Sequence, residues 1–361
     1  MQNKHTVVFV PRKNPVAAKL ISKEINDDKD FTSLSIPFDQ LVTKPKIAYA
    51  KSIRFLNNQI WKPISFVMHK VIKSVKVAET MRSYDGAKRQ RVHNMFYRYA
   101  PSVVVVSEPY ALFTMVKTGK KMGKMPNIFI LSNDIGFNVE LIDKNVKHYF
   151  VDNVAVREQL LQKGVFADKI DVCPLPIESK FFAEVDQEKI RQKMGVRKDA
   201  KVVVMYPDEK NKKELVDFAA ENADKAVFAV LPGDSIVVRE YAEEKGVLCL
   251  ENEKEADAIA ASDVVVSPYH ASRIKKSAAM KKYFVCYGEG NETVSRLVAE
   301  GKAFSCADIP TLESTLKNVL AEDEDEESEP IFDETNEKSA KIIADRIKEL
   351  VLDMSKEEEQ V

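Results

Sequence analysis

Residues 6–21 read TVVFVPRKNPVAAKLI. The run 6–10 is β-branched and aromatic, the composition of a buried strand. It passes through a five-residue turn, Pro11-Arg12-Lys13-Asn14-Pro15, into a helix that starts near Pro15. In α/β proteins this step sets a phosphate or sugar against backbone amides at a helix N-terminus. Glycine normally lets the main chain come close there, and this turn has none. Two readings stand. Asn14 is a good N-cap and Pro15 a good first helical residue, so the helix can satisfy its own amides. Alternatively, Arg12 and Lys13, beside Asn14, offer side-chain charge to a phosphate in place of the backbone cradle.

The alternation of strand and helix continues outward. Strand-like runs are expected at 7–10, 33–37, 103–107, 128–131, 148–151 and 170–173. Five more follow at 202–205, 226–231, 247–250, 264–267 and 284–287. Such runs build parallel sheets of βαβ units, here two doubly wound domains. The join is expected near CPLPIESKFF, residues 173–182, whose prolines and aromatics suit a docking linker. The domains are then 1–178 and 179–320. An acidic loop at 321–333, carrying EDEDEESE (322–329), reads as solvated chain. A final amphipathic helix and tail, 334–361, sets Ile343, Ile347, Leu350 and Met354 at helical spacing.

Bulk composition narrows the class. With 45% apolar and 31% charged residues, the 361-residue chain reads as a soluble globular protein. No apolar run approaches the roughly 20 residues that cross a bilayer. The opening residues lead straight into a strand, without a signal-peptide pattern. Cys173, Cys249, Cys286 and Cys306 lie far apart, without CxxC spacing, and read as reduced thiols of a cytosolic protein. Glycine is scarce, 11 residues, where an average chain of this length has about 7%.

Charge is lopsided beneath a net of −1. Residues 1–150 hold 25 Lys and Arg against 11 Asp and Glu; the remainder holds 30 against 45. A basic half points to an anionic partner, nucleic acid or a membrane surface. The excess concentrates in a helical insert at about 40–100, with 13 basic residues against Glu79 and Asp85. One reading is helices with charged outer faces. The other is contact with an anionic membrane, with Trp61 and Lys62 as anchor and Arg89 and Arg91 among the headgroup contacts. No motif of the known nucleic-acid modules is present, so nucleic acid is not expected.

The segment HYFVDNVAVREQLLQKGVFADKIDVCPLPIESKFF (148–182) resembles a group of GT-B glycosyltransferases. That group includes monogalactosyldiacylglycerol synthases, processive diacylglycerol glucosyltransferases and the peptidoglycan lipid-intermediate N-acetylglucosaminyltransferase. Gly164, Lys169, Ile170, Pro174, Pro176 and Phe182 stand in the family's places. VVVVSEPYA (103–111) looks like the strand and loop where these enzymes meet acceptor, and 259–304 like their donor-side region. The resemblance implies an α/β GT-B fold, two Rossmann-like domains facing a cleft, with the C-terminal helix packing back across the junction. It implies transfer of a sugar from a nucleotide-sugar donor, UDP-linked, to a membrane lipid or lipid-linked acceptor. No metal or other cofactor is expected, and the protein is expected at the cytoplasmic face of a membrane, peripherally held.

By the same resemblance, the acceptor-side Asp and the His after it fall on Asp134 and Asn138 in SNDIGFN. Asp134, just past the strand expected at 128–131, can take the proton of an acceptor hydroxyl, or serve only as a loop or cap residue. Asn138 can only position. The donor loop, whose carboxylate holds the nucleotide ribose in the family, falls on Tyr269, His270, Ala271, Arg273 and Lys276. A lysine, which can only donate, thus stands where an acceptor is expected. His270 either faces a diphosphate or is an ordinary loop histidine. Lys275, Lys276, Lys281 and Lys282 read equally as a solvated helix face. Gly290, Asn291 and Glu292 match the family's donor-contacting Gly-Gln-Glu, and Asn291 reads as well as the cap of a helix beginning at Glu292. The family's first turns are glycine-rich; here they are 11–15 and MYPDEKNKK, 205–213. Two other functions therefore stay open. One is a degenerate GT-B protein serving as a binding or scaffold subunit. The other is a transferase using another donor, such as a CDP-linked alcohol phosphate.

Overall fold

A computed structural model describes residues 5–11, 15–41, 90–132, 134–321 and 337–359. Valine-rich runs make the sheet centres, because branched side chains fill a pleated surface covered on both faces. The first sheet contains β1 (His5–Val10), β2 (Phe31–Ser35), β3 (Val103–Val106), β4 (Ile128–Leu131), β5 (Val146–Val151) and β6 (Ile170–Val172). Their order is β2-β1-β3-β4-β5-β6, and every neighbouring pair is parallel. The direction of winding changes between β1 and β3. Val8, Val10, Val104, Val106, Ile128 and Ile130 form one core with Ala111, Leu112 and Met115 of the helix Pro109–Met122.

The second sheet contains β7 (Val202–Met205), β8 (Val227–Val230), β9 (Leu248–Cys249), β10 (Val264–Ser267), β11 (Tyr283–Tyr287) and β12 (Phe304–Cys306). Their order is β12-β11-β10-β7-β8-β9, again all parallel, with the winding change between β7 and β10. Val203, Met205, Val264 and Val266 meet Leu215, Val216 and Leu312 in its core. Arg191, on the helix Gln187–Lys193, ties this sheet from below. Its Nε donates to the Ala261 carbonyl at 2.9 Å and its Nη2 to Asp263 at 2.7 Å, while Asp263 also accepts from the Val202 N–H at 2.7 Å.

Two doubly wound parallel sheets are what the alternation of runs anticipates. β12 was not anticipated: it is a three-residue edge strand, Phe304–Cys306, with a serine at its centre, too short to show as an apolar run. By contacts, one compact unit gathers Met1–Asn133, Phe137–Cys173 and Ala340–Val361, and the other Asp134–Gly136 and Pro174–Ser339. The helix Ser339–Glu359 buries Ile343, Ile347 and Val351; Leu350 and Met354 are only half-buried, so Val351 takes the core place that spacing gave to Leu350. All four cysteines are free thiols, and burial pushes Cys173 up to about 12.

Candidate functional site

In open parallel sheets, ligands gather beyond the carboxyl ends of the strands, where the winding direction changes. In the second sheet that place lies beyond β7 and β10. Tyr206, next after β7, is 3% exposed and donates its hydroxyl to Glu255 at 3.0 Å. Glu255 begins the helix Glu255–Ala261 and also accepts from Lys276 Nζ at 2.7 Å. The Lys276 ammonium lies 4.7 Å from the centre of the Phe181 ring. One turn earlier on the helix Ala271–Ala279, the Arg273 guanidinium stacks 4.4 Å over the Tyr206 ring and donates to Ser267 Oγ at 3.0 Å. Burial, and then the Glu255 carboxylate, holds the Tyr206 phenol far above its ordinary range, while burial draws the Arg273 guanidinium down.

This cluster corrects one sequence reading. Lys275 is 0% and Lys276 9% exposed, so neither belongs to a solvated helix face. An ion pair with Glu255 and a ring to lie on are what make that burial of Lys276 tolerable. Lys281, by contrast, is exposed and Lys282 half-buried. Tyr206 and Glu255 were missed. Glu255 sits in ENEKEADAI, which reads locally as a charged, solvated helix start, and only the tertiary fold turns it inward.

A second cluster surrounds Asp134, which groups with the second unit. Tyr269, two residues past β10, donates its hydroxyl to the Asp134 carboxylate. The Gly136 N–H donates to Asp134 Oδ1 at 3.4 Å, and with the Thr293 hydroxyl it acts to lower the phenol, against burial and the Asp134 charge, which raise it. Ile135 is fully buried, and its carbonyl accepts from Arg296 Nη2 at 3.3 Å. Gly136 has no side chain for a reason of space: a Cβ there would lie 2.4 Å from Thr293 Oγ1. The segment Asp134–Gly136 therefore meets both Tyr269 and the first turns of the helix Glu292–Ala299. Asn138 is exposed and caps a short 3-10 turn, Val139–Leu141, its Oδ1 accepting from the Glu140 N–H at 3.0 Å.

Beyond β11, Gly288 turns the chain with φ of 105°, a conformation that favours glycine. Gly290, Asn291 and Glu292 follow, all exposed. Asn291 caps the helix, its Oδ1 accepting from the Val294 N–H at 2.9 Å, which leaves its Nδ2 as the group with donating capacity. His270 is exposed at the start of the helix Ala271–Ala279 and makes no side-chain cap bond. These loops bring His270, Arg273, Gly290, Asn291 and Glu292 to the carboxyl edge of one sheet.

In the first sheet, a cavity of about 10 Å³ beside the ends of β1 and β3 has room for one water at most. Arg12, Lys13 and Asn14 lie outside the described residues, as do Trp61, Lys62 and Arg89. Arg91 is exposed on the helix Gln90–Tyr99, its Nη1 donating to the Gln40 carbonyl at 2.9 Å. Among the described residues, no helix is long and apolar enough to cross a membrane.

No family model matches the chain. Over 145 residues, 39% of its length, the chain is 23% identical to a processive diacylglycerol β-glucosyltransferase of Bacillus licheniformis, and the match spans 37% of that relative. Solved structures are similar over almost the whole chain. The UDP-GlcNAc 2-epimerase of Neisseria meningitidis bound to UDP-GlcNAc shares 13% identity at a TM-score of 0.59, covering 95% of this chain and 100% of that one. HepE of Anabaena in complex with UDP-glucose shares 13% at a TM-score of 0.54, covering 98% and 99%. At such identities the likeness is one of fold. Two six-stranded parallel sheets in this order, matched end to end by these structures, give the chain an α/β, GT-B-like fold.

Proposed function

We propose that this chain is a glycosyltransferase that moves a sugar from a nucleoside-diphosphate sugar, UDP-linked, to the hydroxyl of a membrane lipid. The observation that carries the reading is the meeting of Asp134 with Tyr269 and the 291–296 turn, which sets a carboxylate beside the loops that resemble a donor site. In the reaction, the acceptor hydroxyl loses its proton to Asp134 and its oxygen bonds the anomeric carbon. The bond from that carbon to the diphosphate breaks, and its electron pair leaves on the nucleotide. Arg273, which spends one donor on Ser267, has others to offer diphosphate oxygens, and His270 stands at the same edge. Asn291 Nδ2 and the Glu292 carboxylate suit sugar hydroxyls.

The test is calorimetry of the full chain with UDP-glucose, followed by transfer of labelled glucose to diacylglycerol in mixed vesicles. Saturable heat and a labelled lipid are expected. Neither heat nor a thermal shift at millimolar UDP-glucose would remove this reading. A second reading, a binding subunit of the same fold without transferase activity, is favoured by the burial of Lys276 in its pair with Glu255, at the place where the family needs a ribose acceptor. Silence toward UDP, CDP and their sugars alike would select it, while heat with CDP alone would point to a different donor.

A further inference from the structure

We propose that Tyr269 is the positioning residue for the Asp134 base, holding the carboxylate through its phenol hydroxyl; this rests on the transferase reading above. Asp134 is exposed and lies on a short irregular segment, where its own backbone offers the carboxylate a long bond, the Gly136 N–H at 3.4 Å from Oδ1. A base must sit within hydrogen-bond reach of the proton it takes, and a wandering carboxylate loses most of that advantage. Tyr269 supplies the firmer hold: its hydroxyl donates to the Asp134 carboxylate, and the Thr293 hydroxyl and Gly136 N–H act on the same phenol, against burial and the Asp134 charge.

Each part of this hold is fixed by something independent. Tyr269 follows Pro268 immediately after β10, so its backbone position is set by the sheet. Thr293 lies in the first turn of a helix whose end is closed by Asn291. Gly136 lets the two segments approach, since any side chain there would strike Thr293 Oγ1. Ile135, buried between Asp134 and Gly136, anchors the segment through its carbonyl to Arg296. Burial, followed by the Asp134 charge, raises the phenol well above its ordinary range, so the hydroxyl remains a donor at every pH of interest.

The experiment has two readouts. In the full chain labelled with tyrosine carbon-13 at Cζ, the Tyr269 signal is identified by its disappearance in Tyr269→Phe. Asp134→Ala should then shift that signal and leave the other tyrosines in place. In the transfer assay with UDP-glucose and diacylglycerol, Tyr269→Phe should lower kcat about tenfold or more while the KM for UDP-glucose holds. Fluorotyrosine at the same position, which keeps a hydroxyl, should restore the rate. Thr293→Val serves as second variant should Tyr269→Phe fold poorly, and should give a smaller fall in kcat. An unmoved Tyr269 signal overturns the pairing, whatever the turnover. Turnover unchanged in Tyr269→Phe overturns the positioning role alone. A shifted signal in a chain that never transfers sugar instead defeats the transferase reading, and the positioning role with it, while the pair itself stands.

Discussion

Lys276 lies in SRIKKSAAMKK, where four lysines within eight positions look like a wetted helix face. The fold treats them unequally. Lys275 and Lys276 are turned inward, and Lys276 and Glu255 face each other with side chains 11% and 18% exposed. A charge pair so placed is held by its partner, so taking one member away strands the other. Lys276→Met should cost about 3 kcal/mol, read as a lower urea midpoint, whereas Lys276→Met with Glu255→Gln should return much of it. Equal losses in the two variants would mean that the pair contributes nothing specific. Nothing local in the sequence distinguishes Lys276 from Lys281, because the difference is made by Glu255 and Phe181, which precede it by 21 and 95 residues. The same holds for Asp134. Its candidacy was legible from its place after a strand, and Tyr269 was legible as a donor-loop position, but the two are 135 residues apart and nothing in either segment pairs them.

At the level of elements, the sequence was far more informative. Runs such as Val202–Met205 and Val264–Ser267 carry their burial in their composition, and their observed bounds are the expected ones. β12 was missed because an edge strand of three residues needs little apolar character. β5 carries a less obvious feature. His148 on it is 2% exposed, packed on Phe129 and Phe150, and its Nε2 lies 2.8 Å from Asp171 Oδ2 on β6. Arg346, from the helix Ser339–Glu359, donates to that same oxygen at 2.8 Å. Burial lowers the imidazole below its ordinary 6.5, although Asp171 opposes the shift. The folded chain thus refuses a proton that the unfolded chain accepts. Stability should fall as pH drops below about 6.5, until the folded imidazole itself protonates. Urea unfolding across that window should show the slope, and His148→Phe should flatten it; an unchanged slope would mean that other groups control the acid limb.

Over the whole molecule, charge divides as unevenly as function is expected to. The first 150 residues carry 25 basic against 11 acidic groups, and within them the helix Gln90–Tyr99 presents Arg91, His93, Arg98 and an 86%-exposed Tyr97. Sedimentation with vesicles should show binding to phosphatidylglycerol that weakens as salt shortens the Debye length below about 8 Å, and little binding to phosphatidylcholine. Binding indifferent to salt, or none, would defeat the expectation of an anionic membrane partner. The path of the chain has a consequence of another kind. The first unit is discontinuous, with the helix that buries Ile343, Ile347 and Val351 returning to it only after the entire second unit has been traversed. On the ribosome, the six strands of the first sheet emerge long before the element that completes them, so a nascent chain exposes that apolar seat while its neighbour matures. Pulse-labelled proteolysis of stalled chains should therefore find residues 174–321 protected first and the earlier-made half protected last.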